Sequence, residues 1–312
     1  MNYAAKRYWL IGASEGLGRA LAHKMSAAGA ELILSARSET RLQALADALP
    51  GPAEVLPLDL ADSASVAAAG ARLGHVDGVV FLAGVYWPMP AQNWNGAQAL
   101  AMADINFTGA FRVLDQVMES FLARDAGHIV LTGSLSGFRG LPGAIGYGPS
   151  KAGLMALAES LRADLHRTGI KVQLANPGFI KTRLTDKNSF AMPFIMSPEK
   201  AADHMLRHMA TTRFQYSFPR LFSWVFRGSR FLPERLYFKI FGKSRGVQDA
   251  ESLPKIDRWL SKCAPALAQT PCAISCNPNR LGKSCAAKSS ELSRGKSDGK
   301  LSIAVTSKIG FS

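Results

Sequence analysis

The chain has 312 residues, 47% of them hydrophobic and 19% charged, with a formal net charge of +14; that length and balance describe a globular protein able to bury a full core in one large or two small domains. No run approaches the roughly 18 apolar residues that span a bilayer, and the opening residues leave no room for a basic segment, an apolar stretch and a cleavage site. A transmembrane helix and a secretory signal are therefore not expected, and the cytoplasm is the expected compartment.

In chain order, short apolar runs at 8–11, 31–35, 54–58, 76–82, 128–132, 171–175 and 214–218 alternate with amphipathic stretches such as 17–28, 40–48, 98–123, 150–167 and 198–210. Apolar strands that alternate with helices predict a doubly wound α/β fold, a parallel sheet of about seven strands covered on both faces. This domain is expected over residues 1–220. An aromatic and basic extension of two short amphipathic helices is expected over 221–246, the second starting at Pro233 and ending at Gly242 with Leu236, Tyr237, Ile240 and Phe241 on one face. From 247 the Ser-, Lys- and Ala-rich composition predicts a disordered tail. The tail holds all four cysteines, Cys263, Cys272, Cys276 and Cys285. Their placement excludes a disulfide-stapled core, and their gaps give no two C-x-x-C pairs, so free thiols are expected rather than zinc.

The first strand runs into Gly12, Ser14, Glu15, Gly16, Leu17 and Gly18, followed by a helical pattern from Arg19. Glycines in a strand-to-helix turn let a pyrophosphate approach the backbone at the positive helix end, which predicts a dinucleotide site. Farther on, Tyr147-Gly148-Pro149-Ser150-Lys151 puts a phenol and an ammonium on one helix face, with Pro149 tolerated in the first turn. A free tyrosine titrates near pH ~10, so acid/base work at neutral pH needs a shift of about 3 units. A cation about 4 Å away at an intermediate dielectric supplies roughly that much.

The glycine spacing, the Tyr-Lys pair and the order of elements between them resemble the short-chain dehydrogenase/reductase family over about residues 6–220. The resemblance implies a Rossmann-type catalytic domain without a metal. It implies that Tyr147 exchanges a proton with the substrate oxygen and that Lys151 lowers the phenol pKa and holds the nicotinamide ribose. It implies that Ser134 aligns the carbonyl and that Asn106 supports a proton-carrying water. Asp59 and Leu60 match positions beside adenine, while Pro177, Gly178, Ile180 and Thr182 match the segment that seals the nicotinamide. One stretch departs from the family pattern: its N-N-A-G appears as Phe81-Leu82-Ala83-Gly84, so two amides are absent while Gly84 still permits close approach. His75 and His128 join no ligand cluster and read as structural.

For the cofactor, Ser35-Ala36-Arg37 offers a guanidinium where NAD enzymes of this type place a carboxylate, which favours NADP(H), with NAD(H) as the alternative and Glu15 as the feature that speaks against NADP(H). The expected function is hydride transfer between the nicotinamide and a carbonyl or hydroxyl. Phe190, Met192, Pro193, Phe194, Ile195 and Met196 in the expected lid suit a small hydrophobic, lipid-like substrate. The alternatives are a non-catalytic NADP-binding redox sensor and a membrane-surface lipid-binding protein.

Residues 213–245 carry eight basic residues against Glu234 alone. With Trp224, Phe226, Phe231, Tyr237 and Phe241 they fit an interfacial helix pair, so peripheral contact with an anionic membrane, at its inner face, is placed first. A solvated cap, a dock for an acidic carrier protein and an oligomer interface remain open. A homo-oligomer is expected, and no nucleic-acid partner, since no recognition fold accompanies the charge.

Overall fold

The computed structural model describes residues 3–242. The expected tail from 247 and its cysteines lie outside the described residues, as do Lys243 and Arg245 of the basic segment.

Seven strands form one all-parallel sheet in the order β3-β2-β1-β4-β5-β6-β7. They are β1 (Arg7–Ile11), β2 (Glu31–Ser35), β3 (Ala53–Val55), β4 (Gly78–Phe81), β5 (Gly127–Thr132), β6 (Ile170–Pro177) and β7 (Gln215–Phe218). Each of the seven expected runs overlaps one of them.

Alternate residues of the central strands enter two separate cores, as a sheet covered on both faces requires. Trp9, Ile11, Val79, Phe81, Ile129 and Leu131 pack with α3 (Ser63–Arg72), α5 (Gly109–Asp115) and α7 (Tyr147–Asp164). Tyr8, Leu10, Val80 and Val130 pack on the other side with α1 (Gly16–Ala27), α2 (Glu39–Ala46) and α8 (Pro198–Met209). Strand order reverses between β1 and β4, which opens a crevice at their carboxyl ends, the usual ligand position in such sheets.

The stretch expected as one helix over 98–123 is instead α4 (Gly96–Ala103), a wide π turn (Asp104–Thr108), α5 and α6 (Met118–Ala123). The extra residue in the π turn turns Asn106 inward, where it is fully buried. Amphipathic periodicity survives such a slip, so the pattern in the sequence reads as continuous.

The two helices of the extension are α9 (Arg220–Ser229) and α10 (Glu234–Phe241). Phe226 (9% exposed) and Tyr237 (1%) face the domain, whereas Trp224 (63%) and Phe231 (89%) face solvent. The expected interfacial set is corrected accordingly. On α10 the expected shared face is also corrected, because Tyr237 is buried while its neighbour Leu236 is exposed. The Tyr237 hydroxyl donates to the Gly140 carbonyl, and the Arg139 guanidinium stacks 3.7 Å from its ring centre. Those two contacts decide which side of α10 turns inward.

Candidate active site

β1 hands the chain to α1 through the glycine loop, which is pinned to the end of β2 by Gly12 N and Ala13 N donating to the Ser35 carbonyl at 2.7 and 3.1 Å. Gly16 has φ +54°, and a Cβ there would stand 2.8 Å from Thr182 Cγ2; a Cβ on Gly18 would run into the Gly12 carbonyl. Only glycine lets the loop lie this close to Thr182 and lets α1 pack this close to the loop. Ser14 and Leu17 complete the loop, half-buried. The N-cap residue of α1, Glu15, makes no side-chain cap bond. The first-turn N–H groups are thus left for an anion at the positive helix end. The Glu15 carboxylate pairs instead with Arg183 at 2.7 Å and Arg41 at 3.4 Å.

Around this loop stand the other expected dinucleotide contacts. Arg37, just past β2, is exposed and makes no ion pair among the described residues. Asp59 accepts from Ala61 N at 3.0 Å and so caps its own turn, while the carbonyl of buried Leu60 accepts from Arg112 Nη1 at 2.7 Å. Ala83 is pressed against Gly12, whose Cβ would lie 2.8 Å from the Ala83 backbone. Beyond β6, Gly178 N donates to the Phe218 carbonyl at 2.7 Å, Pro177 ends the strand, and Ile180 bridges to Met196. The uncapped helix end and the glycine cradle fit a dinucleotide.

The reactive residues gather below Gly84. A Cβ at Gly84 would lie 3.4 Å from Asn106 Oδ1 and 3.5 Å from Lys151 Nζ. Asn106 accepts from Val85 N at 2.7 Å and donates to the Val85 carbonyl at 2.9 Å and to Ser150 Oγ at 3.1 Å. One inward amide from the π turn thus steadies the loop that lacks the family's two asparagines.

Lys151 is buried and donates to the Thr132 carbonyl at 2.9 Å; burial brings its pKa down to about 8. Tyr147 opens α7. Burial raises its phenol above the ordinary value, and a hydrogen bond with the Ser134 side chain pulls it partly back. Lys151 Nζ stands 5.9 Å from the Tyr147 ring centre. In this state the ammonium is engaged by a strand carbonyl, and burial is the larger influence on the phenol. Ser134 caps a short 3-10 turn (Leu135–Gly137), accepting from Ser136 N at 3.2 Å and Ser136 Oγ at 2.9 Å.

The structure adds three residues that the sequence did not single out for this site. Tyr86 meets the Tyr147 ring edge-on at 5.1 Å, its hydroxyl donates to Asn188 Oδ1 at 2.9 Å, and Lys187 Nζ donates to its carbonyl at 2.8 Å. No local pattern marks them, because the partners are about a hundred residues apart.

The family model for short chain dehydrogenases matches residues 6–192. An uncharacterized oxidoreductase of Myxococcus xanthus is 37% identical over 235 residues, covering 73% of this chain and 93% of that protein. A 3-oxoacyl-(acyl-carrier-protein) reductase of Escherichia coli is 34% identical over 194 residues, covering 59% of this chain and 78% of that protein. Among solved structures, a short-chain dehydrogenase from Sphingobium yanoikuyae in complex with NADPH shares the fold at a TM-score of 0.66 and 24% identity, over 79% of this chain and 99% of its own. With its glycine loop, its strand order and a family match over more than half its length, this chain belongs to the short chain dehydrogenases, a family of NAD(P)-dependent oxidoreductases acting on CH–OH and C=O groups.

Proposed function

We propose that this chain interconverts a carbonyl and a hydroxyl on a small apolar substrate, with NADP(H) as the preferred cofactor. The observation that carries the reading is the convergence of Asn106 and Lys151 on Gly84, with Tyr147 one helical turn before Lys151 on α7 and its phenol paired with the Ser134 side chain. The nicotinamide supplies or accepts the hydride. Tyr147, held protonated at neutral pH by burial, is ready to give its proton to a substrate oxygen, and Ser134 orients that oxygen by a second hydrogen bond. Lys151 is still charged at pH 7 and stabilises the phenolate as it forms. Asn106 keeps the Gly84 loop open over Lys151.

The cofactor preference rests on Arg37 and the absent carboxylate at Ala36. Glu15, the feature that spoke against NADP(H), is neutralised by Arg41 and Arg183, so its charge does not repel a phosphate. In the lid, Phe190 meets Phe179 at 5.9 Å and Phe194 meets Phe222 at 5.5 Å, which makes an apolar wall. Similarity to a 3-oxoacyl reductase supports a ketone on an acyl chain. The exposed Trp224 and Phe231, with exposed Arg220, Arg227, Arg230 and Arg235 in the same segment, support peripheral contact with an anionic membrane. No helix among the described residues is long and apolar enough to cross one. Exposed Leu100 on α4 and Phe111 on α5 give self-association a surface.

Steady-state turnover of a carbonyl panel graded by chain length, with NADPH and NADH at equal salt, tests the reading. Efficiency should rise with apolar chain length and favour NADPH, and Arg37→Asp should move the preference toward NADH. Equal or better use of NADH overturns the cofactor assignment, and no turnover of any carbonyl or alcohol overturns the reaction.

A further inference from the structure

Tyr86 joins the reactive phenol to the lid through contacts at both ends of its side chain. The loop after β4 is gripped at Val85 N–H and Val85 carbonyl by Asn106, which fixes the direction in which the next residue leaves. The Tyr86 ring then stands edge-on to the Tyr147 ring, centroids 5.1 Å apart and planes at 74°. This is the favoured geometry for an aromatic pair. At its far end the Tyr86 hydroxyl donates to Asn188 Oδ1 at 2.9 Å. Asn188 in turn reaches Met192 Sδ at 3.3 Å. The preceding lid residue, Lys187, donates to the Tyr86 carbonyl at 2.8 Å and lies 4.5 Å from the Trp87 ring centre. Two consecutive residues of the lid therefore clasp two consecutive residues of the loop, directly beside Tyr147.

We propose that Tyr86 is a positioning residue that couples lid closure to the setting of the proton donor: its hydroxyl latches Asn188, and its ring holds the Tyr147 ring. Opening the 183–196 segment breaks the hydroxyl bond and frees the ring that buttresses the phenol, so the phenol is held in place only when the lid is shut. A ketone held under the closed segment is then enclosed with a set phenol. The latch rests on geometry alone, whereas the coupling rests on Tyr147 acting as proposed above.

The test uses the full chain with Tyr86→Phe, Asn188→Ala, Asn188→Asp and the Tyr86→Phe/Asn188→Ala pair. Three readouts are taken: trypsin cleavage after Lys187, melting temperature, and KM and kcat for a medium-chain 3-oxoacyl ester with NADPH. Loss of one net hydrogen bond corresponds to about fivefold in the opening equilibrium. Tyr86→Phe and Asn188→Ala should each raise cleavage after Lys187 and KM by about that factor, with a smaller change in kcat. The double variant should be no worse than either single one, since both remove the same contact. Asn188→Asp keeps the acceptor oxygen and should restore wild-type cleavage. Tyr86→Leu, which removes the ring, should lower kcat and move the alkaline limb of its pH profile, effects that loss of packing elsewhere would not produce. Unchanged cleavage and KM in Tyr86→Phe, with melting unaltered, overturns the latch. A kcat and pH profile unmoved by Tyr86→Leu overturns the coupling. If the wild type turns over no carbonyl while Tyr86→Phe still speeds cleavage, the catalytic reading falls, and the coupling with it, and the latch stands.

Discussion

Lys151 is buried and Tyr147 half-buried, and desolvation drives each toward its neutral form, the lysine down to about 8 and the phenol up. Reductive kcat/KM should hold from neutral pH to about 8 and fall above it as Lys151 loses its proton; a profile flat to pH 10 would show that its charge is not used. Tyr147→Phe should cut turnover at least about a hundredfold, the usual scale for losing a general acid, and leave NADPH affinity nearly unchanged. Lys151→Ala should reduce both. A second buried group concerns stability alone. Gln173 Nε2 donates to the carbonyls of His208, Thr211 and Arg213, so its Oε1 faces His128 Nε2, which carries the ring proton, and His128 Nδ1 accepts from the Tyr8 hydroxyl. Burial lowers His128 from 6.5 to about 3. The unfolded chain then takes the proton first, so stability is complete above pH ~6.5 and is lost as pH falls toward 3, by about 2 kcal/mol at pH 5. His208, lowered to about 4, acts with the same sign. Urea midpoints at pH 7 and pH 5 measure this, and His128→Gln should flatten the dependence; an identical slope in that variant would exonerate His128.

At the scale of elements, the consequential feature is the π turn at Asp104–Thr108. It aims one amide at both polar groups of Val85, so Asn106→Leu leaves a part-buried N–H and carbonyl unpaired and should cost about 1–2 kcal/mol. Turnover should fall further than the melting curve alone explains, because the Gly84 loop loses its anchor over Lys151. An activity loss that merely tracks the unfolded fraction would reduce Asn106 to a structural residue. The glycine loop makes a parallel case. Gly16→Val adds a branched side chain at φ +54° and 2.8 Å from Thr182, so it should weaken NADPH binding at least about tenfold while β1 and α1 still form. Isothermal titration decides it. The α3 helix, not singled out in the sequence, shows the other limit: Ser63–Arg72 is mostly Ala and Ser and becomes recognisable only through its N-cap Asp62 and the burial of Val66 and Ala69.

For the whole molecule, the question is what the exposed face of α9 and α10 meets. Among the described residues, Arg213, Arg220, Arg227, Arg230, Arg235 and Lys239 oppose Glu234 alone. Each basic residue near an anionic surface contributes about 1 kcal/mol before screening, enough for reversible binding once Trp224, Phe231 and Leu221 insert. The chain should pellet with anionic vesicles at physiological salt and less at high salt, and Trp224→Ser with Phe231→Ser should release most of it. Phe226 is not a useful probe, because it packs inward against Phe222 at 5.0 Å. Failure of the wild type to pellet would leave the solvated cap or an oligomer interface.

The sequence by itself determined the sheet, the glycine loop and the Tyr147–Lys151 helix face. A strand buried on both sides is predominantly apolar, a tight turn pressed under a neighbouring backbone requires glycine, and residues four apart on a helix share a face. These are local constraints that any reading of neighbouring residues can recover. Only the tertiary structure decided that Lys151 bonds the Thr132 carbonyl, that Phe226 and Tyr237 turn inward while Trp224 and Phe231 do not, and that Tyr86 reaches Asn188. Each of those depends on which distant segments the sheet order brings together and on how much water they exclude, and neither quantity is encoded in the spacing of neighbours along the chain.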